Sequence, residues 1–158
     1  MTLSIKLAFW LSAGALALPL MFGPAVTSAQ ANPLAELQAK HRIILLFSKS
    51  RSDASLDKQI DLLRERRRDL TERDTVVLVV EGRSDVVAAI GYVPVPRGIA
   101  RDLREQYTKS SARFFGVLIG KDGGEKARWE RVRDPQQIFD QIDSMPMRRL
   151  EMQQSQTN

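Results

Sequence analysis

Two runs of the chain have no polar break: IILLF at Ile43–Phe47, and VVLVV at Val76–Val80 behind Asp74 and Thr75. A strand with one wet face alternates apolar and polar side chains, whereas a strand that is apolar at every position has to be covered on both faces. Two such strands call for a layered α/β domain with helices on each side of a sheet. The segment between them supplies a helix. Leu56, Ile60, Leu63 and Leu70 follow at spacings of four, three and seven, which is one helical stripe, and Arg64, Glu65 and Arg68 then face outward. Ser52 or Asp53 can cap that helix, because a short oxygen side chain accepts from the open first-turn amides. Strand, helix, strand in this order is a right-handed crossover between parallel strands. The charged lead-in Lys40-His41-Arg42 is expected at the surface.

Beyond the second strand the pattern weakens. Arg83 to Arg97 has no clear period: Val86–Ile90 fits a short helical turn on the core, and Pro94 and Pro96 preclude a regular element there. Pro96 suits the first turn of a helix that carries Ile99, Leu103 and Tyr107 and ends near Ser110. Phe114–Ile119 is again strand-like. Lys121-Asp122-Gly123-Gly124 is a tight turn, and Glu125–Arg131 returns with Ala127 and Trp129 on alternating positions. Asp134-Pro135-Gln136-Gln137 starts a helix with a capping oxygen and a proline whose missing N–H costs nothing at that position. Ile138, Phe139, Ile142 and Met145 form its buried face, and Pro146 stops or kinks it. The order, β-α-β and then α-β-β-α, predicts an α/β fold of thioredoxin-like type: a four-stranded mixed sheet with helices on both faces, over residues 32–152. The tail, 153–158, has a disordered composition.

The first 31 residues follow a different pattern. Lys6 is the only charge before Glu36, Leu7–Phe22 is apolar or small apart from Ser12, and Gly23 and Pro24 end the run. Ala29-Gln30-Ala31 is the small-x-small pattern that a signal peptidase cuts. Residues 1–31 are therefore expected to be a signal peptide cleaved after Ala31, which makes the chain periplasmic or secreted from a bacterial envelope. A retained anchor is the alternative, since the apolar run is just short of the roughly 17–25 residues that cross a bilayer; membrane contact is expected only in that case. With no cysteine in the chain, disulfide exchange, cysteine peroxidase chemistry and thiolate metal sites are excluded. Once Lys6 is removed, 23 basic residues exceed 19 acidic ones by four. That favours an anionic surface only mildly, because acids are interspersed throughout. Nucleic acid is not an expected partner, as no basic tract is interleaved with aromatics.

Four stretches, RIILLFSKSRSDASLDKQIDLL, RDTVVLVVEG, FFGVLIGKDGGEKARW and IDSMPMRRLEM, together resemble the bacterial branch of the P-DUDES family. These are exported thioredoxin-like domains, also found as modules in vertebrate extracellular-matrix proteins. The likeness spans Pro33 to Met152. It implies a fold and a compartment but no settled activity, so it assigns no catalytic residues and no cofactor. In a redox-active thioredoxin the loop from first core strand to first core helix carries the reactive cysteines, activated by the helix N-terminus. Here it reads Ser48-Lys49-Ser50-Arg51-Ser52, so the position survives without the sulfur. Ala112-Arg113-Phe114 stands where such proteins carry a proline before the hairpin strand, which argues against thioredoxin-type peptide clamping.

That loop, Ser48, Lys49, Ser50, Arg51 and Ser52, is the candidate anion- or partner-binding site. Helix-start amides, two cations and three hydroxyls suit a phosphate, sulfate or carboxylate; a solvated cap with its cations turned outward is the plainer reading. A serine nucleophile needs a base, and the one histidine, His41, sits at the far end of the strand, ~20 Å away by strand rise. With one histidine and no cysteine, no metal site is expected. Glu81 and Asp85 read as loop acids and Arg66-Arg67-Arg68 as a solvated helix face. Gly120–Gly124 lacks the Gly-Lys-Ser/Thr ending of a phosphate loop and precedes a strand. The chain is accordingly expected to be a non-catalytic binding or assembly module for a protein or anionic envelope partner. The alternative is a cysteine-independent enzyme or degenerate oxidoreductase using the same loop. Intact mass of the exported protein tests the first step: cleavage leaves Asn32 as the new terminus, and a mass that retains residues 1–31 means an anchor.

Overall fold

The computed structural model describes residues 34–50, 52–81, 85–91, 98–109 and 111–157. The expected signal segment, Arg51 of the candidate loop, and Pro94 and Pro96 lie outside the described residues. The strands are β1 (Arg42–Ser48), β2 (Thr75–Glu81), β3 (Asp85–Ile90), β4 (Phe114–Ile119) and β5 (Glu125–Trp129). The helices are α1 (Ala35–Gln38), α2 (Ala54–Glu65), α3 (Arg67–Glu72), α4 (Ala100–Tyr107), α5 (Pro135–Asp143) and α6 (Pro146–Thr157).

The sheet runs β3-β2-β1-β4-β5. β1 and β2 are parallel, as a helical crossover demands, and β3, β4 and β5 each pair antiparallel with their neighbours. The expected β-α-β and α-β-β-α blocks are both present, but the sheet has five strands rather than four. The additional one is β3, on the segment that periodicity favoured as a helical turn. A short apolar run such as DVVAAI fits either state by spacing alone. As a strand it supplies hydrogen bonds to the outer side of β2, which an isolated helical turn cannot do. The helix over Leu56–Leu70 is also interrupted at Arg66, giving α2 and α3. The last helix continues to Thr157, past the Met152 limit suggested by composition.

All seven residues of β1 are buried. Ile43, Leu45 and Phe47 face α1 and α4, packing with Leu34, Leu37, Leu103 and Tyr107, and Phe47 stacks on Phe115 with ring centroids 4.4 Å apart. Ile44 and Leu46 face the opposite layer, with Leu56, Leu63 and Leu70 from α2 and α3 and with Ile138, Phe139 and Ile142 from α5. Truncating one such core leucine or isoleucine to alanine costs about 2–5 kcal/mol.

Arg42, expected at the surface, is only 1% exposed. The first residue of a central strand is hemmed in by both neighbours, so its charge needs partners. Its Nη1 donates to the Arg73 carbonyl at 2.9 Å and its Nη2 to Glu151 at 3.1 Å. Glu151 also accepts from Lys121 Nζ at 2.9 Å, and Lys121 reaches Asp74 at 2.8 Å. One turn earlier on α6, the buried Arg148 donates to Asp143 and to both the carbonyl and carboxylate of Glu72, while Arg73 holds Asp143 from the other side. α6 is thereby locked across the N-terminal ends of β1 and β2. Burial alone would raise the Glu151 and Asp143 carboxyls; hydrogen bonds from Arg42 and Lys121 to Glu151, and from Arg73 and Arg148 to Asp143, outweigh it and hold both below their ordinary values.

Carboxyls lowered on folding contribute stability that is present above their unfolded values and lost as pH falls through the folded ones. Urea midpoints should therefore hold steady near neutrality and decline once the pH drops below about 4, the unfolded carboxyl range. Glu151→Ala should cost about 2–3 kcal/mol, less than a fully enclosed pair because Glu151 keeps some contact with water, and should make the acid decline shallower.

Candidate functional site

β1 and β2 end, β4 begins and β5 ends at one end of the sheet, as the registers Ser48↔Glu81, Ser48↔Phe114 and Gly116↔Trp129 show. The Ser48–Ser52 loop leaves the sheet there. Ser48 is 1% exposed. Its hydroxyl donates to the Ser50 carbonyl at 2.7 Å and accepts from the Ser50 amide at 3.2 Å, which closes a tight turn directly after the strand. Ser50 Oγ in turn accepts from the Ser52 amide at 3.3 Å and lies 3.4 Å from Ser52 Oγ. Lys49 spans to the lead-in of β4: its amide donates to the Arg113 carbonyl at 3.2 Å and its Nζ to the Ser111 carbonyl at 2.9 Å.

The helix start is taken by a residue of the chain itself. Asp53 is the N-cap of α2, and its carboxylate accepts from the amides of Ser55 at 2.9 Å and Leu56 at 3.3 Å. A full negative charge thus sits where the first-turn amides and the helix dipole favour an anion. The structure therefore brings Ser48, Lys49, Ser50 and Ser52 into one turn bonded within itself and to the β4 lead-in, while Asp53 takes the Ser55 and Leu56 amides of the helix start. Lys49, Ser50 and Ser52 remain exposed. Glu81, at the end of β2, and Asp85, at the start of β3, are opposed in register. Among the described residues no three histidine, aspartate or glutamate side chains cluster as metal ligands.

Sequence reasoning missed Arg104. From α4 its Nη2 donates to the carbonyls of Ser48 at 2.7 Å and Val80 at 2.8 Å, near the ends of the two parallel strands, with Cζ 5.7 Å from the centre of the Phe47 ring. Burial lowers the guanidinium pKa. The available signal was that Arg104 follows Leu103 on the core-facing stripe of α4, but neither spacing nor composition says which carbonyls it meets. Beside it lies an open groove of about 400 Å³, bordered by Arg101, Glu105 and Thr108.

This strand order, with a crossover into parallel β1 and β2 and a β4–β5 hairpin on the other side, defines a thioredoxin-like domain whose first strand–helix junction carries serines instead of cysteines. Residues 33–151 match the domain of unknown function DUF4174, and the chain belongs to that family. Among solved structures it is similar to one described as the crystal structure of Trgpx in apo form, at 17% identity over 68% of this chain and 81% of that one, with a TM-score of 0.45. No curated protein matches it.

If Asp53 closes the helix start, Asp53→Ala should lower stability by about 1 kcal/mol in urea unfolding, while Asp53→Asn, which can also cap, should retain most of it.

Proposed function

We propose that this DUF4174 chain is an exported, non-catalytic thioredoxin-like binding module of the kind its resemblance to the P-DUDES family implies. The observation that carries the reading is the closure of the β1–α2 junction. In a redox thioredoxin this place holds a thiolate poised on free amides; here the Asp53 carboxylate takes those amides, the Ser48 hydroxyl donates to a backbone carbonyl and Lys49 is tied to Ser111. A serine nucleophile requires a base to receive its proton, and the hydroxyl proton of Ser48 is already directed at the Ser50 carbonyl. The rim that remains, Lys49, Ser50 and Ser52, is an exposed polar surface beside the Arg104 groove, suited to contact with a partner in the envelope.

Affinity capture from envelope extract, with a Ser50→Ala/Ser52→Ala variant as control, tests this reading. A partner retained by the natural chain and lost by the variant is the expected result. Multiple-turnover chemistry that disappears in the same variant would replace the binding module by an enzyme.

A further inference from the structure

At the same end of the sheet, β5 runs out at Trp129 into Glu130–Arg133 beside the first turn of α5, and a groove of about 430 Å³ opens there, lined in part by Trp129, Glu130, Arg131, Arg133 and Gln137. Trp129 is 8% exposed and lies against Gly116, where any Cβ would overlap its indole. Its Nε1–H nevertheless has no acceptor, and a buried donor left unpaired is destabilising. The Arg133 guanidinium lies 5.7 Å from the centre of the Trp129 ring, on a backbone fixed by Gln59, which accepts from the Arg133 amide at 2.8 Å and donates to its carbonyl at 3.0 Å.

Charge completes the picture. Arg128, on β5, is neutralised by Glu125 through two 2.8 Å bonds. Among the described residues Arg131 and Arg133 make no ion pair, although they lie three and five positions further on. Two unneutralised guanidiniums beside an aromatic ring suit carboxylates, which they can hold with paired N–H donors. β5 is also the last strand of the sheet, so the outer side of its backbone offers donors and acceptors to an extended chain, the way peptides add to sheet edges.

We propose that this groove docks an acidic, extended segment of a partner polypeptide, with its main chain along the free side of β5 and its carboxylates on Arg131 and Arg133. This surface is separate from the Ser48–Ser52 loop and does not depend on what that loop does.

The test uses the full chain carrying Trp10→Phe, which leaves Trp129 as the only indole, titrated with a short peptide alternating Glu and Thr. The expected result is a saturable change in Trp129 emission, with binding at least about tenfold weaker in Arg131→Ala/Arg133→Ala and falling steeply with salt. Arg149→Ala, an exposed arginine on α6, should bind as the parent does. A Glu-Pro peptide, which cannot pair with a sheet edge, should bind about tenfold more weakly. Should the double variant lose its fold, the exposed Arg131→Ala alone carries the comparison. No saturation, equal binding of the Glu-Pro peptide, or preference for a sulfated glycan or anionic vesicles over the acidic peptide would overturn the proposal. Ser50→Ala/Ser52→Ala should leave peptide binding intact, so failure here is distinguishable from failure of the loop reading.

Discussion

A guanidinium enclosed at the start of the central strand sets the terms for the rest of this molecule. The Arg42 side chain cannot reach bulk water, so the fold has to bring acceptors to its N–H groups. It does so by laying α6 across the end of the sheet, with Glu151 shared between Arg42 and Lys121 and with Arg148 and Arg73 converging on Asp143. A chain without disulfides thereby gains a polar clasp at one end, complementing two apolar layers packed against a fully buried β1.

The clasp lies at the end of the sheet away from the β1–α2 junction, where a thioredoxin-like domain presents its chemistry. Here the same geometry is turned to internal bonding. A carboxylate replaces the reactive anion at the α2 start, hydroxyls close the turn, and Arg104 bridges carbonyls of β1 and β2. What stays exposed or open is the rim of Lys49, Ser50 and Ser52, the groove at Arg104, and the arginine-lined edge at Trp129. These support the proposed binding role without calling on any group that must turn over.

Much of the scaffold was legible because continuous apolar runs admit few environments. β1, β2, β4, the turn at Gly123 with its positive φ of 76°, and the Asp134-capped α5 all follow from local rules. β3 did not, because the five small or branched apolar residues Val86–Ile90 satisfy helix and strand alike, and pairing with β2 decides between them. The fate of Arg42 was hidden for a related reason: charge predicts exposure until distant residues supply a counter-charge, and Glu151 lies 109 positions away. The candidate loop was located by its place between strand and helix, yet the direction of its hydrogen bonds was not. Asp53 was recognised as a possible cap, but its occupation of the very amides that would receive an anion emerges only in three dimensions.

The central claim is that the β1–α2 junction no longer stabilises an anion other than its own carboxylate. A Ser52→Cys variant tests it directly through the pH dependence of alkylation of the introduced thiol. With Asp53 in place the thiol should titrate at or above the ordinary cysteine value of about 8.5, because the helix-start amides are taken and a negative charge lies next to it. A thiol that titrates at or below about 7, as in thioredoxin, would contradict the account and show that the junction keeps the field of a redox centre.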